Sequence, residues 1–358
     1  MPVAADTRAW LELTLAAGVG DAAVRALLRA HGDPQTVLDA GARAWRTTVD
    51  AATVRALGEG APRDAVEAAL RWCEAADHHL VTLGDPHYPS DFLHLTDAPT
   101  LFYAHGRLDA LQRPSLAMVG SRHATPQGAA TARQFARTLA EAGLVIVSGL
   151  ALGIDGAAHE GALETADGLT IAVVGTGIDR VYPARHRELA HRIVERGLIL
   201  SEFPLGTPPV PPNFPRRNRL ISALARGCLV VEAALSSGSL ITARYANEQG
   251  KEVFAIPGSI HSPVAKGCHA LIRDGAKLVD SVEHILEELQ WSKGAPREPA
   301  HDAEAHPLLD VLGYDPCDVD TLVARSGLDA GTLSATLTRL ELEGAVAALP
   351  GGRYQRVR

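Results

Sequence analysis

The chain has 358 residues, 46% of them hydrophobic, and a formal net charge of −8 from 34 Lys and Arg against 42 Asp and Glu. That length can bury a large core and predicts two or three domains. No apolar run is long enough to span a bilayer, and the acidic balance argues against indiscriminate nucleic-acid binding, so the basic residues must be read by position.

Met1–Asp6 shows no basic segment ahead of an apolar stretch, so no secretory signal is expected. The cysteines Cys73, Cys228, Cys268 and Cys317 are scattered without paired spacing, which predicts buried thiols in a reducing cytoplasm and neither a disulfide framework nor a zinc site. Residues 1–75 read as a small helical domain. Within it Leu13–Gly20 followed by Ala23–Leu28 is similar to a helix-hairpin-helix, where Arg25 and Arg29 would suit a phosphate. A sterile-alpha-motif-like bundle used for packing is the competing reading. The stretch 76–114 predicts two short strands, His78–Leu83 and Thr100–Gly106, around a turn-rich Asp85-Pro86-His87-Tyr88-Pro89. His78 and His79 invite a metal, but strand neighbours point to opposite faces, so a structural role is expected.

Leu116–Val119 and Leu144–Val147 are short apolar runs suited to strands buried on both faces of a parallel sheet. Thr125-Pro126 predicts the N-cap and first residue of the intervening helix, and Asp155 the N-cap of the next. Further strands are expected at Leu169–Val174, Leu198–Ser201, Leu229–Val231 and Val253–Ile256, with helices over 184–196, 215–226, 239–249 and 281–290. Repeated βα units over 76–290 imply an open, Rossmann-like parallel sheet covered by helices, with its ligand at the carboxyl ends of the strands. The sequences that follow the strands are Gly120-Ser121-Arg122, Ser148-Gly149, Gly175-Thr176-Gly177, Ser201-Glu202, Ser236–Ser239 and Pro257-Gly258-Ser259. Glycine loops backed by helix N-termini are ready-made anion sites, and Arg122 adds a bidentate phosphate donor. Arg185 and Arg187 follow Tyr182-Pro183, and Arg216, Arg217 and Arg219 open a helix, where cations oppose the helix dipole and a bound polyanion would remove the conflict. One or two of these three could instead pair with Glu202 or Glu232. Neither GxGxxG nor a P-loop is present, which argues against a dinucleotide cofactor and ATP hydrolysis. Asp155, His159 and Glu160 do not assemble a nucleophile–base pair.

Gly120-Ser121-Arg122, Ser148–His159, Val181-Tyr182-Pro183, Phe214–Ile221, Val231-Glu232-Ala233, Ser237–Ala243 and Ile256-Pro257-Gly258 together resemble the DNA-processing protein DprA (Smf) family. The resemblance implies an extended Rossmann fold binding single-stranded DNA in a positively charged pocket, a homodimer, and help in loading the RecA recombinase during natural transformation. It makes Arg122 the first phosphate ligand, with Arg185 or Arg187 as the basic residue after Tyr-Pro. The expected DNA-binding set is then Gly120, Ser121, Arg122, Ser148, Gly149, Arg185, Arg187, Arg216, Arg217, Asn218, Arg219, Ser237, Gly238, Ser239 and Thr242, with no catalytic residue, metal or cofactor. The family is similar in fold to cytokinin-releasing phosphoribohydrolases, whose PGGxGTxxE signature is missing here. A nucleotide hydrolase using the same pocket is the alternative. Leu271, Ile272 and Ile285 are the expected dimer contacts. After a polar linker at 291–306, residues 307–358 predict three helices and a hairpin broken at Pro350, a winged helix. Its recognition-helix candidate, Thr332–Glu343, carries Arg339 against Glu341 and Glu343, which favours protein contact over sequence reading, while Arg353, Arg356 and Arg358 leave weak phosphate contact open.

Overall fold

In the computed structural model, which describes residues 5–291, 306–312, 317–343, 345–349 and 351–356, the amino-terminal segment forms five helices. They are α1 (Ala5–Thr14), α2 (Asp21–His31), α3 (Pro34–Trp45), α4 (Ala51–Glu59) and α5 (Arg63–Trp72). Asp33 and Asp50 cap α3 and α4 by accepting from Thr36 N and Thr53 N. Leu11, Leu13, Val24, Leu27 and Val37 fill the space between them. Arg25 is corrected as a phosphate contact: it is buried, and its guanidinium donates to the carbonyls of Ala98 and Thr96. Asp21 likewise accepts from Thr100 N and Oγ1. The polar groups of α2 therefore hold the segment ahead of the second strand, as the packing reading requires.

Contacts divide the chain into two compact units, one of Trp72–Val81 with Phe102–Arg297, the other of Met1–Arg71, Thr82–Leu101 and Glu298–Arg358. The larger unit is built on β1 (His78–Thr82), β2 (Leu101–Gly106), β3 (Ser115–Val119), α6 (Pro126–Glu141), β4 (Val145–Ser148), α7 (Ile154–Leu163), β5 (Thr170–Val173), α8 (Arg187–Arg196), β6 (Leu198–Ser201), α9 (Asn213–Leu224), β7 (Gly227–Val230), α10 (Ser239–Glu248), β8 (Glu252–Ala255), α11 (Lys266–Arg273), β9 (Lys277–Leu278) and α12 (Val282–Glu288). The strands form a nine-stranded sheet in the order β1-β2-β6-β5-β4-β3-β7-β8-β9. From β6 to β9 every pairing is parallel; β2 runs antiparallel to β6, so the sheet is mostly rather than wholly parallel. Every residue of β3, β4, β5, β6 and β7 is buried, as strands covered by helices on both faces must be. Chain order runs outward from β3 through β4, β5 and β6, then restarts on its other side with β7, β8 and β9. That reversal is the switch point of the sheet, between β3 and β7, the place where ligands of such sheets bind.

One core cluster joins Leu116, Met118, Phe135, Leu139, Ile146, Ile154, Leu229 and Phe254 to Val282 and Ile285 of α12. Ile285 is therefore corrected as a dimer contact: its relative exposure is 0% because α12 turns its apolar face inward to the sheet. Leu271 and Ile272 on α11 are half-buried, and Leu278 of the edge strand β9 is half exposed, at 50%.

The carboxyl-terminal residues form α13 (Pro307–Leu312), β10 (Cys317–Asp318), α14 (Val319–Ser326), α15 (Ala330–Leu342), β11 (Val346–Leu349) and β12 (Arg353–Arg356), with the strands ordered β10-β12-β11. Three helices on a small antiparallel sheet make the expected winged helix, and Leu308, Leu312, Leu322, Leu333, Leu337 and Leu340 form its own core. Strand β10 is an addition to the predicted hairpin, pairing Cys317 with Tyr354. Arg356 donates to Leu309 O and Asp310 Oδ1, both at 3.3 Å, so it braces the wing against α13 and is corrected as a phosphate contact. Most of the predicted linker, together with Pro350 and Arg358, lies outside the described residues.

Candidate nucleic-acid interface

The loops at the carboxyl ends of β3, β4 and β7 are packed backbone against backbone. Ser121 N donates to Glu232 O at 2.7 Å, and Ile154 N donates to Ser121 O at 3.1 Å. Glycine is required at two of these approaches. A Cβ on Gly120 would lie 2.6 Å from Ile154 Cγ1, and one on Gly153, at φ +77, would lie 2.2 Å from Ser121 O.

Two carboxylates beneath the loops take the positions expected for a bound anion. Glu232 accepts from Thr125 N at 2.9 Å and Thr125 Oγ1 at 2.6 Å, while Thr125 Oγ1 accepts from Gly128 N, the predicted N-cap bond of α6. Asp155 is not the N-cap of α7; Gly153 holds that position, and Asp155 lies buried in the first helical turn. Its carboxylate accepts from Gly149 N at 3.1 Å and Ala151 N at 3.3 Å. Burial pushes the Asp155 carboxyl up, opposed by the nearby Arg217 guanidinium and these backbone N–H groups. At these two loops the protein's own carboxylates hold the backbone N–H groups of Thr125, Gly149 and Ala151 expected to face phosphate, whereas the N-termini of α8, α9 and α10 carry no side-chain cap.

Helix α9 carries two kinds of arginine. Arg217 is 3% exposed; its Nη1 donates to Gly149 O at 2.7 Å and to Val173 O, and its Nε donates to Asn218 Oδ1 at 3.2 Å. Burial pulls this guanidinium down to about 10, with Asp155 acting in the opposite sense, so it remains charged at neutral pH. It ties the ends of β4 and β5 to α9. Arg219, also 3% exposed, donates to Glu202 Oε2 at 2.6 Å. Both are corrected as phosphate donors: they are braces inside the site. Arg216 differs, with its side chain 52% exposed, its guanidinium 5.5 Å over the Phe203 ring and a 3.5 Å contact with Glu202.

Several smaller expected ligands also turn inward. Ser148 Oγ donates to Met118 O at 2.6 Å, Thr242 is 1% exposed, and Ser237 and Ser239 share a 2.7 Å hydroxyl contact with Ser239 buried. Ser121 Oγ accepts from His123 N, Gly149 is buried, and Asn218 Nδ2 donates to Gly238 O at 3.3 Å. In this structure Ser121, Ser148, Asn218, Ser237 and Ser239 hold partners within the protein and Thr242 is buried, so they act as scaffold for the loops rather than presenting open donors. Gly120 is half-buried, and Gly238 is exposed.

The exposed groups are Arg122, Arg185, Arg187 and Arg216. Arg122 stands 5.4 Å over the Phe214 ring, whose centroid is 5.6 Å from that of Tyr182, itself 47% exposed. A guanidinium and two rings therefore form a continuous run. The two aromatics are the residues that sequence reasoning passed over, although each sits beside a proline in a quoted motif. His186, between Arg185 and Arg187, pairs through Nδ1 with Leu150 O at 3.0 Å, anchoring that basic turn to the loop after β4. Leu150 adopts φ 57, a left-handed conformation costly for a bulky side chain.

The residues that could form an acid–base pair are committed elsewhere. His159 is fully buried, contacts Thr170 Oγ1 through Nδ1 at 2.6 Å, and is pulled down to about 3 by burial, so it is neutral. No helix among the described residues is long and apolar enough to cross a membrane.

The family model of DNA recombination-mediator protein A matches residues 79–290, and that of the DprA winged helix domain matches 292–352. Protein Smf of Escherichia coli (strain K12) is 46% identical over 309 residues, covering 83% of this chain and 82% of its own length. The crystal structure of DNA processing protein A from Streptococcus pneumoniae superposes with a TM-score of 0.69 at 38% identity, covering 80% of this chain and 99% of that one. DNA processing protein A from Helicobacter pylori, described for its single-stranded DNA binding mode, gives 0.54 at 32% identity over 60% of this chain and 95% of its own. The chain belongs to the DNA recombination-mediator protein A (DprA/Smf) family.

Proposed function

We propose that this protein binds single-stranded DNA without sequence preference across the carboxyl edge of the sheet, and that it acts by holding the strand rather than by chemistry. The observation that carries the reading is the run Arg122–Phe214–Tyr182 at the carboxyl side of the sheet, where the strand order reverses between β3 and β7. Single-strand binders combine cations that neutralise phosphate with aromatic faces on which any base can stack. The arrangement supports stacking as a direct contributor, beyond what an aromatic content of 4% suggests. Arg185, Arg187 and Arg216 extend the cationic surface, while Asp155, Glu232, Arg217 and Arg219 keep the loops in shape. The Helicobacter relative's single-strand binding supports the same assignment.

Loading of the RecA recombinase and a homodimer follow as proposals from family membership. Leu271 and Ile272 of α11 and the exposed Leu278 on β9 form the surface we assign to the second copy; an exposed edge strand offers unpaired backbone groups to another chain. The test is fluorescence anisotropy of labelled oligothymidylate at two salt concentrations, with mixed-sequence single strands and duplex as competitors. Similar affinity for all single strands and a falling affinity with salt are expected. Preference for duplex, or release of free base from nucleoside monophosphates on incubation, would turn the reading toward another ligand or toward hydrolysis. Twice the monomer mass by light scattering tests the dimer.

A further inference from the structure

At the other edge of the sheet, three potential metal ligands meet. Asp77 and His78 lie at the start of β1, and His105 lies on β2. One ligand atom of each falls within 4.8 Å of the others. His105 Nε2 is 3.0 Å from Asp77 Oδ2, and the His78 and His105 rings stand edge to face with centroids 4.2 Å apart. His79, which the sequence pairs with His78, is not in the group.

The orientation of His78 is fixed from behind. Its Nδ1 is 2.7 Å from the Trp72 carbonyl, and its ring stacks on the Trp72 indole at 4.1 Å between centroids and 18° between planes. A carbonyl oxygen only accepts, so Nδ1 must carry the proton, which leaves Nε2 as a lone pair. Metal-binding histidines are held in this way, one ring nitrogen donating to a carbonyl or carboxylate while the other faces the ion. Trp72 also meets Tyr103 edge-on at 5.6 Å, so the indole is itself packed in place.

We propose that Asp77, His78 and His105 form a binding site for a divalent transition cation of the zinc class, closing β1 onto β2. Two imidazole nitrogens and one carboxylate oxygen suit zinc and its neighbours and suit calcium or magnesium poorly. Bonds of about 2.0–2.2 Å at a tetrahedral ion place ligand atoms roughly 3.3–3.6 Å apart, so side-chain shifts on the order of 1 Å close the site. The ion takes the place of the proton between His105 Nε2 and Asp77 Oδ2, and solvent fills the fourth position, since Asp77 is 54% exposed at its side chain. This site is independent of the DNA-binding reading.

The full-length, untagged, chelator-treated protein should bind one equivalent of Zn2+ by isothermal titration calorimetry. His78→Ala and His105→Ala should each weaken that binding at least about tenfold, and His79→Ala should leave it unchanged. Co2+ at the same site should quench Trp72 fluorescence in the wild type, a signal lost in Trp72→Phe and in His105→Ala. The quenching measured in the wild type keeps the proposal testable if a histidine variant folds poorly. No zinc uptake by the wild type, or uptake that survives the His78→Ala/His105→Ala double substitution, would overturn it.

Discussion

The carboxyl edge of the large sheet and the winged helix both display arginines, yet they surround them differently. At the sheet edge, Arg122 and Arg216 lie over aromatic rings, and the carboxylates Asp155 and Glu232 are turned under the loops onto backbone N–H groups. In the winged helix the cations meet their own neighbours: Arg339 contacts Glu343 at 3.8 Å, and Arg356 contacts Asp310 at 3.3 Å. In the first region Asp155 and Glu232 shape the loops and leave Arg122 to its ring, with Glu202 against Arg216 and Arg219, whereas in the second Glu343 and Asp310 each lie against an arginine. The number of arginines therefore says little about where a polyanion binds; what lies against each arginine decides it.

The largest expected effect tests the buried half of this contrast. Arg219→Ala leaves Glu202, whose side chain is 2% exposed, with its buried partner removed. Breaking a buried ion pair costs about 3–5 kcal/mol, and the remaining contact of Arg216 with Glu202 places this case at the lower end. Urea denaturation should show that loss. An Arg219→Met/Glu202→Leu double variant should recover most of it, because it removes both members of the buried pair and leaves no lone buried charge. If Arg219→Ala keeps full stability and loses only DNA affinity, the assignment of Arg219 as a brace is wrong.

Arg122→Ala addresses the exposed half. It should leave the fold intact by circular dichroism and weaken oligothymidylate binding by ~1.5–3 kcal/mol, the range for hydrogen bonds to charged groups. The salt slope should shrink by roughly one phosphate. Phe214→Ala should cost about 1–3 kcal/mol, the value of one stacked base, with the salt slope unchanged. Equal loss of slope in both variants would mean that the ring only positions Arg122.

These variants also show how far the sequence could be read. Strand positions from β3 to β8 were legible because short apolar runs ended by glycine or by a polar residue leave few alternatives. The N-cap at Thr125-Pro126 was legible for the same local reason. Depth was harder. Arg217 stands at i, i+3, i+4 and i+7 spacing with Leu220, Ile221 and Leu224, all buried, so the helical stripe already placed it inward. Reading three arginines at one helix start as a single cluster overrode that spacing. Asp155 was misplaced by two residues because Gly153, at φ +77, caps α7 through its backbone conformation, which leaves no side-chain signature. The pairing of Phe214 with Arg122 and Tyr182 joins residues far apart in the chain, and only the sheet order brings them together.

Acid should separate the two regions. His159 lies on α7 against Thr170 at the start of β5, held down to about 3 by burial against an ordinary value of 6.5. The unfolded chain then binds this proton more readily than the folded one, so stability is complete above about pH 6.5 and falls as pH drops toward 3. At pH 5 the loss is about 2 kcal/mol, at 1.36 kcal/mol per unit. In the winged helix the groups shifted down by their cap bonds are Asp318 and Asp329, through hydrogen bonds from Thr321 and Thr332. Those caps contribute above the ordinary carboxylate value of 3.8 and are lost only below it. Between pH 6.5 and 5, urea unfolding followed by hydrogen exchange should show the sheet weakening while α14 and α15 keep their protection. His159→Gln should remove the larger part of the effect, because His105 on β2 is also held down by burial and acts in the same direction.

The smallest expected change comes from deleting the winged helix. Its core of Leu308, Leu312, Leu322, Leu333, Leu337 and Leu340 is its own, so removal takes no side chain from the sheet's core. The stop belongs after Trp291 rather than before it, because Trp291 Nε1 donates to Ala142 O at 2.9 Å and Arg226 lies 5.7 Å over its ring. Counterion release supplies most non-specific affinity and needs cations free to meet phosphate. The exposed Arg122, Arg185 and Arg187 remain in the shortened chain, whereas in the deleted part Arg339 and Arg356 lie against carboxylates of its own. Single-strand affinity should therefore stay within a few-fold, under about 1 kcal/mol, with the salt slope preserved. Anisotropy on labelled oligothymidylate at two salt concentrations, full length against shortened, measures both quantities at once. A hundredfold loss accompanied by a smaller slope would place essential phosphate contacts on the wing, and the contrast between the two regions would collapse.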